Sequence, residues 1–190
     1  MSSDETSTLE LRDATAEDAN AIAALYRHYV LTSSATFEEQ PPDADEILRR
    51  MQRVQDAKLP WRLAVTHAGA LLGYAYASPY RDRSAYRYTL ENSVYVAAEH
   101  LGRGLGSILL LDVVEKCSTL GYRQMLAVIG DTANEASMRL HARLGFKMIG
   151  THHAIGFKFG RWIDVIHMQL ALGVGSLSIP AASPSAAHAR

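Results

Sequence analysis

Gly102, Gly104 and Gly106 stand at alternate positions between a strand-like apolar run, Val94-Tyr95-Val96, and an amphipathic run that begins Leu105-Gly106-Ser107-Ile108-Leu109-Leu110. Glycines let a backbone approach a ligand closely and turn several N–H groups toward one point. The start of a helix adds unpaired N–H donors and a partial positive charge. Together they make a site for a pyrophosphate, and Arg103 can add a full charge. The competing reading is a tight strand-to-helix turn with no ligand. The glycine spacing does not match the dinucleotide pattern G-x-G-x-x-G, and no Gly-Lys-Ser/Thr is present, so neither usual nucleotide motif applies.

Other reactive side chains sort quickly. Arg81 and Arg83, in the segment Tyr80-Arg81-Asp82-Arg83-Ser84-Ala85-Tyr86-Arg87-Tyr88, can each make paired hydrogen bonds to a carboxylate or phosphinate. Their alternative is plain surface solvation. His152 and His153 are neighbours in a strand-like run and point to opposite faces, which is poor geometry for one metal, so no metal is expected. The single cysteine, Cys117, excludes an internal disulfide framework and a cysteine-built zinc site. It falls among Leu110, Val113, Val114 and Leu120 and reads as packing.

The elements that must position these groups follow from periodicity. A strand at Leu9-Glu10-Leu11-Arg12 precedes a capping segment, Asp13 to Asp18, and a helix carrying Ile22, Leu25, Tyr26 and Tyr29. Residues 31–42 read as a loop. A second helix starts at Asp43 or Asp45 and aligns Ile47, Leu48, Met51 and Val54 on one face. Strands are expected at Trp61–Thr66, Leu71–Ser78 and Tyr88–Val96, with the first two joined by a turn at His67-Ala68-Gly69-Ala70. A helix over about Gly104–Leu120 stops at Gly121. The strand Arg123–Ile129, the helix Asn134–Leu144 and two strands, Phe146–Phe159 and Trp162–Leu172, complete the domain, with a turn at Gly160-Arg161. The order β-α-α-β-β-β-α-β-α-β-β, with hairpins beside one crossover, implies an α+β fold with a mixed sheet.

The 190 residues suit one domain, here 9–172, between a flexible N-terminus (1–8) and a flexible tail (173–190) poor in large apolar residues. The formal net charge of -1, with no long basic run, argues against nucleic-acid binding. The acidic first residues do not read as a secretory signal, and no apolar run approaches the roughly 20 residues a membrane span needs. The cytoplasm is the expected compartment.

Gly104-Leu105-Gly106 after Arg103 resembles the R/Q-x-x-G-x-G/A acetyl-CoA loop of the GNAT acetyltransferases. The run Asn134-Glu135-Ala136-Ser137-Met138-Arg139-Leu140-His141-Ala142-Arg143-Leu144-Gly145-Phe146 is similar to that family's second motif. Ala35-Thr36-Phe37-Glu38, Leu90-Glu91-Asn92-Ser93-Val94-Tyr95-Val96 and Gly156-Phe157-Lys158-Phe159-Gly160-Arg161-Trp162 resemble its phosphinothricin and methionine sulfoximine acetyltransferase branch. Leu101 departs from the pattern, standing where Gln or Arg is usual.

The resemblance implies a GNAT fold of about seven strands with helices on both faces, acetyl-CoA as co-substrate, no metal and a homodimer joined near the last hairpin. It implies that Val94, Tyr95 and Val96 lie beside the pantetheine arm, with the Val96 N–H polarising the thioester carbonyl. Gly102, Arg103, Gly104, Leu105, Gly106 and Ser107 would hold the pyrophosphate, and Asn134 and Ser137 would meet the cofactor's reactive end. An amine of pKa about 8 to 10 is roughly 90–99.9% protonated at pH 7, so acetyl transfer needs a base. Glu91 resembles the branch's base, acting directly or through water. His141 stands where many family members carry an acid tyrosine. Arg81 and Arg83 resemble the branch's substrate-binding arginines, and Phe37 and Tyr86 are expected as apolar walls of that site, with ordinary core or surface aromatics as the alternative. The expected reaction is acetylation of a small acidic amino-acid-like compound of the phosphinothricin, methionine sulfoximine or methionine sulfone type, a detoxification. Another small amine, or acetyl-CoA binding without turnover, are the alternatives.

Overall fold

A computed structural model describes residues 9–180 and 183–184. The expected N-terminal segment 1–8 and most of the end of the tail lie outside the described residues. Seven strands form one mixed sheet in the order β1-β2-β3-β4-β5-β7-β6. They are β1 (Glu10–Asp13), β2 (Trp61–Val65), β3 (Leu71–Pro79), β4 (Thr89–Val96), β5 (Gln124–Gly130), β6 (Lys147–Lys158) and β7 (Arg161–Ala171). Four helices accompany them: α1 (Ala19–Thr32), α2 (Ala44–Asp56), α3 (Leu105–Thr119) and α4 (Glu135–Arg143). The element order matches the one read from periodicity, with boundaries moved by a residue or two.

Local chemistry sets the ends. Asp43 Oδ1 accepts from the Glu46 N–H at 2.8 Å and starts α2, while Gly121, at φ +90°, turns the chain out of α3. The last hairpin turns one residue earlier than expected, at Phe159-Gly160, because both adopt positive φ (53° and 70°) and Arg161 already pairs with Lys158.

Strands β1 to β4 form an antiparallel meander. β4 and β5 are parallel and joined through α3; β5, β7 and β6 are antiparallel. Helices cover both faces. On one, Tyr26 and Tyr29 of α1 meet the edge of Tyr95 with ring centres 5.1 Å apart. On the other, Leu109, Leu110, Val113 and Cys117 of α3 are fully buried. Burial pushes the Cys117 thiol up to about 12, so it packs and does not react.

Strand alternation sorts β4 between these faces. Glu91, Ser93 and Tyr95 share the α1 side, whereas Asn92, hydrogen-bonded to His141 of α4, points to the other.

Candidate active site

A gap between neighbouring strands makes the site. β4 pairs with β5 only over Thr89–Asn92 against Gln124–Ala127, and beyond these residues the two strands part, while β7 pairs with the other edge of β5 over Gln124–Gly130. The β4 edge from Ser93 to Val96 is therefore open on the β5 side, and a cleft of about 760 Å³ lies along it. Val94, Tyr95 and Val96 line it, as do Gly102, Gly104, Leu105, Gly106 and Ser107 at one end and Phe37, Glu91, Asn134, Ser137 and His141 around the other. Arg81, Arg83, Tyr86 and Arg103 lie outside that wall.

The cradle end has the features a pyrophosphate needs. Gly102 and Gly104 adopt φ of +76° and +82°, which L side chains rarely adopt, and a Cβ at either would meet nothing within 4 Å. Gly104 caps α3, whose first turn leaves backbone N–H groups without helical partners. Leu101, at the position where Gln or Arg is usual, is 58% exposed and offers no donor.

At the open edge, the Val96 N–H donates to the Tyr29 hydroxyl at 3.3 Å, and that hydroxyl donates to the Val96 carbonyl at 2.6 Å. Burial raises the Tyr29 pKa and keeps its proton in place. One phenol thus fills both strand-pairing groups of Val96. Periodicity identified Tyr29 only as a helix residue, since nothing local links it to a strand 67 positions away.

Glu91 is half-buried. Desolvation raises its pKa, and Arg81 partly opposes the rise. Arg81 is therefore within electrostatic reach of Glu91, while its guanidinium sits 5.0 Å over the Tyr80 ring. Arg83 starts a short exposed helical turn, Ser84–Tyr86, and Tyr86 packs edge-on against Tyr80 at 5.4 Å. Of the two arginines read from the sequence, the fold brings Arg81 toward the carboxylate.

His141 is 3% exposed and reaches the cleft from the opposite face of the sheet. Its Nε2 lies 3.0 Å from Asn92 Oδ1, and its Nδ1 lies 2.8 Å from the Ser137 carbonyl and 3.4 Å from the Ser137 hydroxyl. Burial lowers its pKa, and the Ser137 carbonyl works against that. Asn134 caps α4 by accepting the Ser137 N–H at 3.2 Å, which leaves its amide Nδ2 to donate.

The loop between α1 and α2 forms the remaining wall, and three buried contacts clamp it. Lys158 Nζ donates to the Ser33 and Thr36 carbonyls at 2.8 and 2.7 Å. Asp131, held at φ +76°, accepts from the Ser34 hydroxyl, the Ala133 N–H and Arg161. Arg161 is the main cause of its lowered pKa. One carboxylate thus ties the loop, the last hairpin and the turn into α4. Phe37 lies over Gly130 and Gly156, where a Cβ would overlap the Ser34 carbonyl or the Phe37 ring. Asp131 and Lys158 were not legible as site residues, because their partners lie about 100 positions away in the chain.

His152 bonds His167 across the hairpin at 3.0 Å and His153 bonds Asp164 at 2.9 Å. Among the described residues no group of three or more possible metal ligands occurs.

The fold, the open β4 edge and the glycine cradle define an acetyltransferase, and comparison with known proteins agrees. The model of the acetyltransferase (GNAT) domain matches residues 11–167, and the chain belongs to that family. It is an acetyl-CoA-dependent N-acetyltransferase. It is 49% identical over 164 residues to a phosphinothricin N-acetyltransferase of Alcaligenes faecalis, covering 86% of this chain and 83% of that one. An L-methionine sulfoximine/L-methionine sulfone acetyltransferase of Salmonella typhimurium is 37% identical, covering 86% and 95%. The crystal structure of a Sinorhizobium meliloti phosphinothricin acetyltransferase in complex with AcCoA superposes with a TM-score of 0.88 at 44% identity, covering 92% and 94%.

Proposed function

We propose that this enzyme transfers acetyl from acetyl-CoA to the amino group of a small acidic amino-acid-like compound, of the phosphinothricin, methionine sulfoximine or methionine sulfone type. The observation that carries the reading is Glu91, a half-buried carboxylate on the cleft wall beside the open β4 edge and within the field of Arg81. The similarity to phosphinothricin and methionine sulfoximine acetyltransferases supports the same substrate class.

In this reading Glu91 takes the proton of the incoming ammonium, directly or through a water, and burial suits it to the task by moving its pKa toward that of the amine. The Val96 N–H turns from Tyr29 to the thioester carbonyl and stabilises the charge that develops there. The N–H groups from Gly102 to Ser107, with Arg103, hold the pyrophosphate, while Asn134 and Ser137 meet the reactive end of the cofactor. Arg81 binds the substrate's acidic group, Arg83 and Tyr86 extend that subsite, and Phe37 covers its apolar part. His141 protonates the departing thiolate and is restored by the second proton that nitrogen gives up as the amide forms, while the proton on Glu91 passes to solvent.

The test is release of CoA thiol from acetyl-CoA with phosphinothricin, methionine sulfoximine, methionine sulfone, glutamate, spermidine and an aminoglycoside. Turnover confined to the acidic amino-acid analogues is expected. Turnover with the cationic amines alone would overturn the substrate class, because Arg81 repels them.

A homodimer in the cytoplasm belongs to the same reading. β6 is an edge strand, and Ile155, Phe157, Phe159 and Trp162 of the last hairpin are 53–65% exposed, a composition that suits a second copy of this chain. Among the described residues no helix is long and apolar enough to cross a membrane. Trp162→Asp is expected to convert a dimer at micromolar concentration into a monomer in sedimentation velocity. A wild-type protein that sediments as a monomer would refute the dimer.

A further inference from the structure

Backbone groups along β4 alternate between two neighbours. The Ala97 N–H donates to the Leu72 carbonyl at 2.8 Å, and the Thr89 carbonyl accepts from the Tyr80 N–H at 3.2 Å. Odd-numbered residues therefore pair toward β3. Asn92, Val94 and Val96 turn their N–H and C=O groups the other way, toward β5, and past Asn92 that side is the open cleft. At Val96 this edge already has a partner. The Tyr29 hydroxyl, on the cleft wall, donates to the Val96 carbonyl at 2.6 Å and accepts from the Val96 N–H at 3.3 Å. The first bond is short and the second is long.

The phenol is held in place. Its ring meets Tyr95 edge-on at 5.1 Å. One turn earlier on α1, the Tyr26 hydroxyl bonds Thr36 and Glu38 at 2.6 and 2.9 Å, which fixes the rotation of the helix. An oxygen that takes the Val96 N–H at an ordinary length of about 2.9 Å comes to where the phenol oxygen now lies. Two oxygens can share that place only side by side, about 2.7 Å apart with a proton between them. A thioester carbonyl brings no proton. The phenol has one, and burial, by raising the Tyr29 pKa, keeps it on oxygen.

We propose that Tyr29 is a catalytic residue: its hydroxyl turns from the Val96 carbonyl to the thioester carbonyl oxygen and, beside the Val96 N–H, supplies the second donor of an oxyanion site. As the amine nitrogen bonds to the carbonyl carbon, the C=O π electrons move to oxygen. When they return, the C–S bond breaks and its electron pair leaves with sulfur. A hydrogen bond to the anionic oxygen is roughly twice as strong as one to a neutral carbonyl, so the phenol favours the charged stage over its resting partner. Tyr29 keeps its proton throughout. Until acetyl-CoA arrives, the same hydroxyl satisfies both edge groups of Val96.

The inference rests on the reading that the Val96 N–H polarises the thioester, and a measurement without turnover separates the two. Isotope-edited infrared spectra of acetyl-CoA labelled with carbon-13 at the carbonyl, bound to the full-length enzyme without amine, should show the carbonyl band at lower wavenumber than in solution. Tyr29→Phe keeps the ring against Tyr95 and removes only the hydroxyl. Part of the shift should be lost in this variant, and kcat should fall about 10²-fold, with no rise in the dissociation constant of acetyl-CoA. A bound band or a kcat unmoved by the substitution would overturn the role of Tyr29 and leave Val96 as the donor. No shift in the wild type would overturn both. A hydroxyl that merely braced β4 would, when removed, weaken acetyl-CoA binding and leave the bound band where it was.

Discussion

Glu91→Gln is expected to lower kcat by about 10²–10⁴-fold while acetyl-CoA binds with unchanged affinity. The substitution keeps the shape of a half-buried side chain and removes only its capacity to accept a proton. The pH profile provides a second reading of the same group. Burial raises the Glu91 pKa above the ordinary carboxylate value, and Arg81 partly opposes it. A base works as the carboxylate, so activity should fall as pH drops through this raised value, giving an acidic limb above the usual carboxylate range. Arg81→Ala removes the opposing charge and should shift that limb to still higher pH.

Stability should respond in the opposite sense to activity. Because the folded pKa is raised, folding favours the protonated carboxyl. The fold therefore loses stability as pH rises through that pKa, and an uncharged Gln escapes the cost. Glu91→Gln should accordingly raise Tm slightly at neutral pH. A variant with wild-type kcat across the amines the enzyme accepts would remove Glu91 as the base.

Gly130→Ala is expected to cost at least 10-fold in kcat/KM for the amine and about 2 kcal/mol of stability, with much less change in KM for acetyl-CoA. The added methyl group would overlap the Ser34 carbonyl oxygen, a backbone atom that no rotamer change can move aside. The loop must then lift away from β5, taking Phe37 with it and straining the bonds from Asp131 and Lys158. The cradle of Gly102 to Ser107 lies at the far end of the cleft and should hold. Steady-state kinetics with each substrate varied in turn, beside a urea melt, separates the two effects. Unchanged kinetics for the amine would mean that this loop does not shape the acceptor side.

Much of this molecule was legible from its residues in order. The element sequence, the helix ends at Asp43 and Gly121, the glycine cradle and the placement of Glu91 and Val94–Val96 on one strand all follow from local periodicity and backbone preference. These depend on a residue and its near neighbours, and tertiary packing altered them only at boundaries such as the turn at Phe159-Gly160. The motif spacing was equally local, so the family and its cofactor could be read before any coordinates.

What the chain order could not supply is which distant groups meet. Only the assembled sheet, in which β4 and β5 part after the Asn92–Ala127 pair, opens the β4 edge. Only the packing of α1 brings the Tyr29 hydroxyl to Val96, and only the path of the chain before β4 brings Arg81 within electrostatic reach of Glu91. Asn92 is the sharpest case. It neighbours Glu91 in sequence, yet strand alternation sends it through the sheet to His141, while Glu91 faces the opposite side. Residue types and their spacing determined which chemistry this chain can support. Strand register and helix packing decided which groups face each other across the cleft, because such pairings depend on the relative placement of segments that share no local sequence signal.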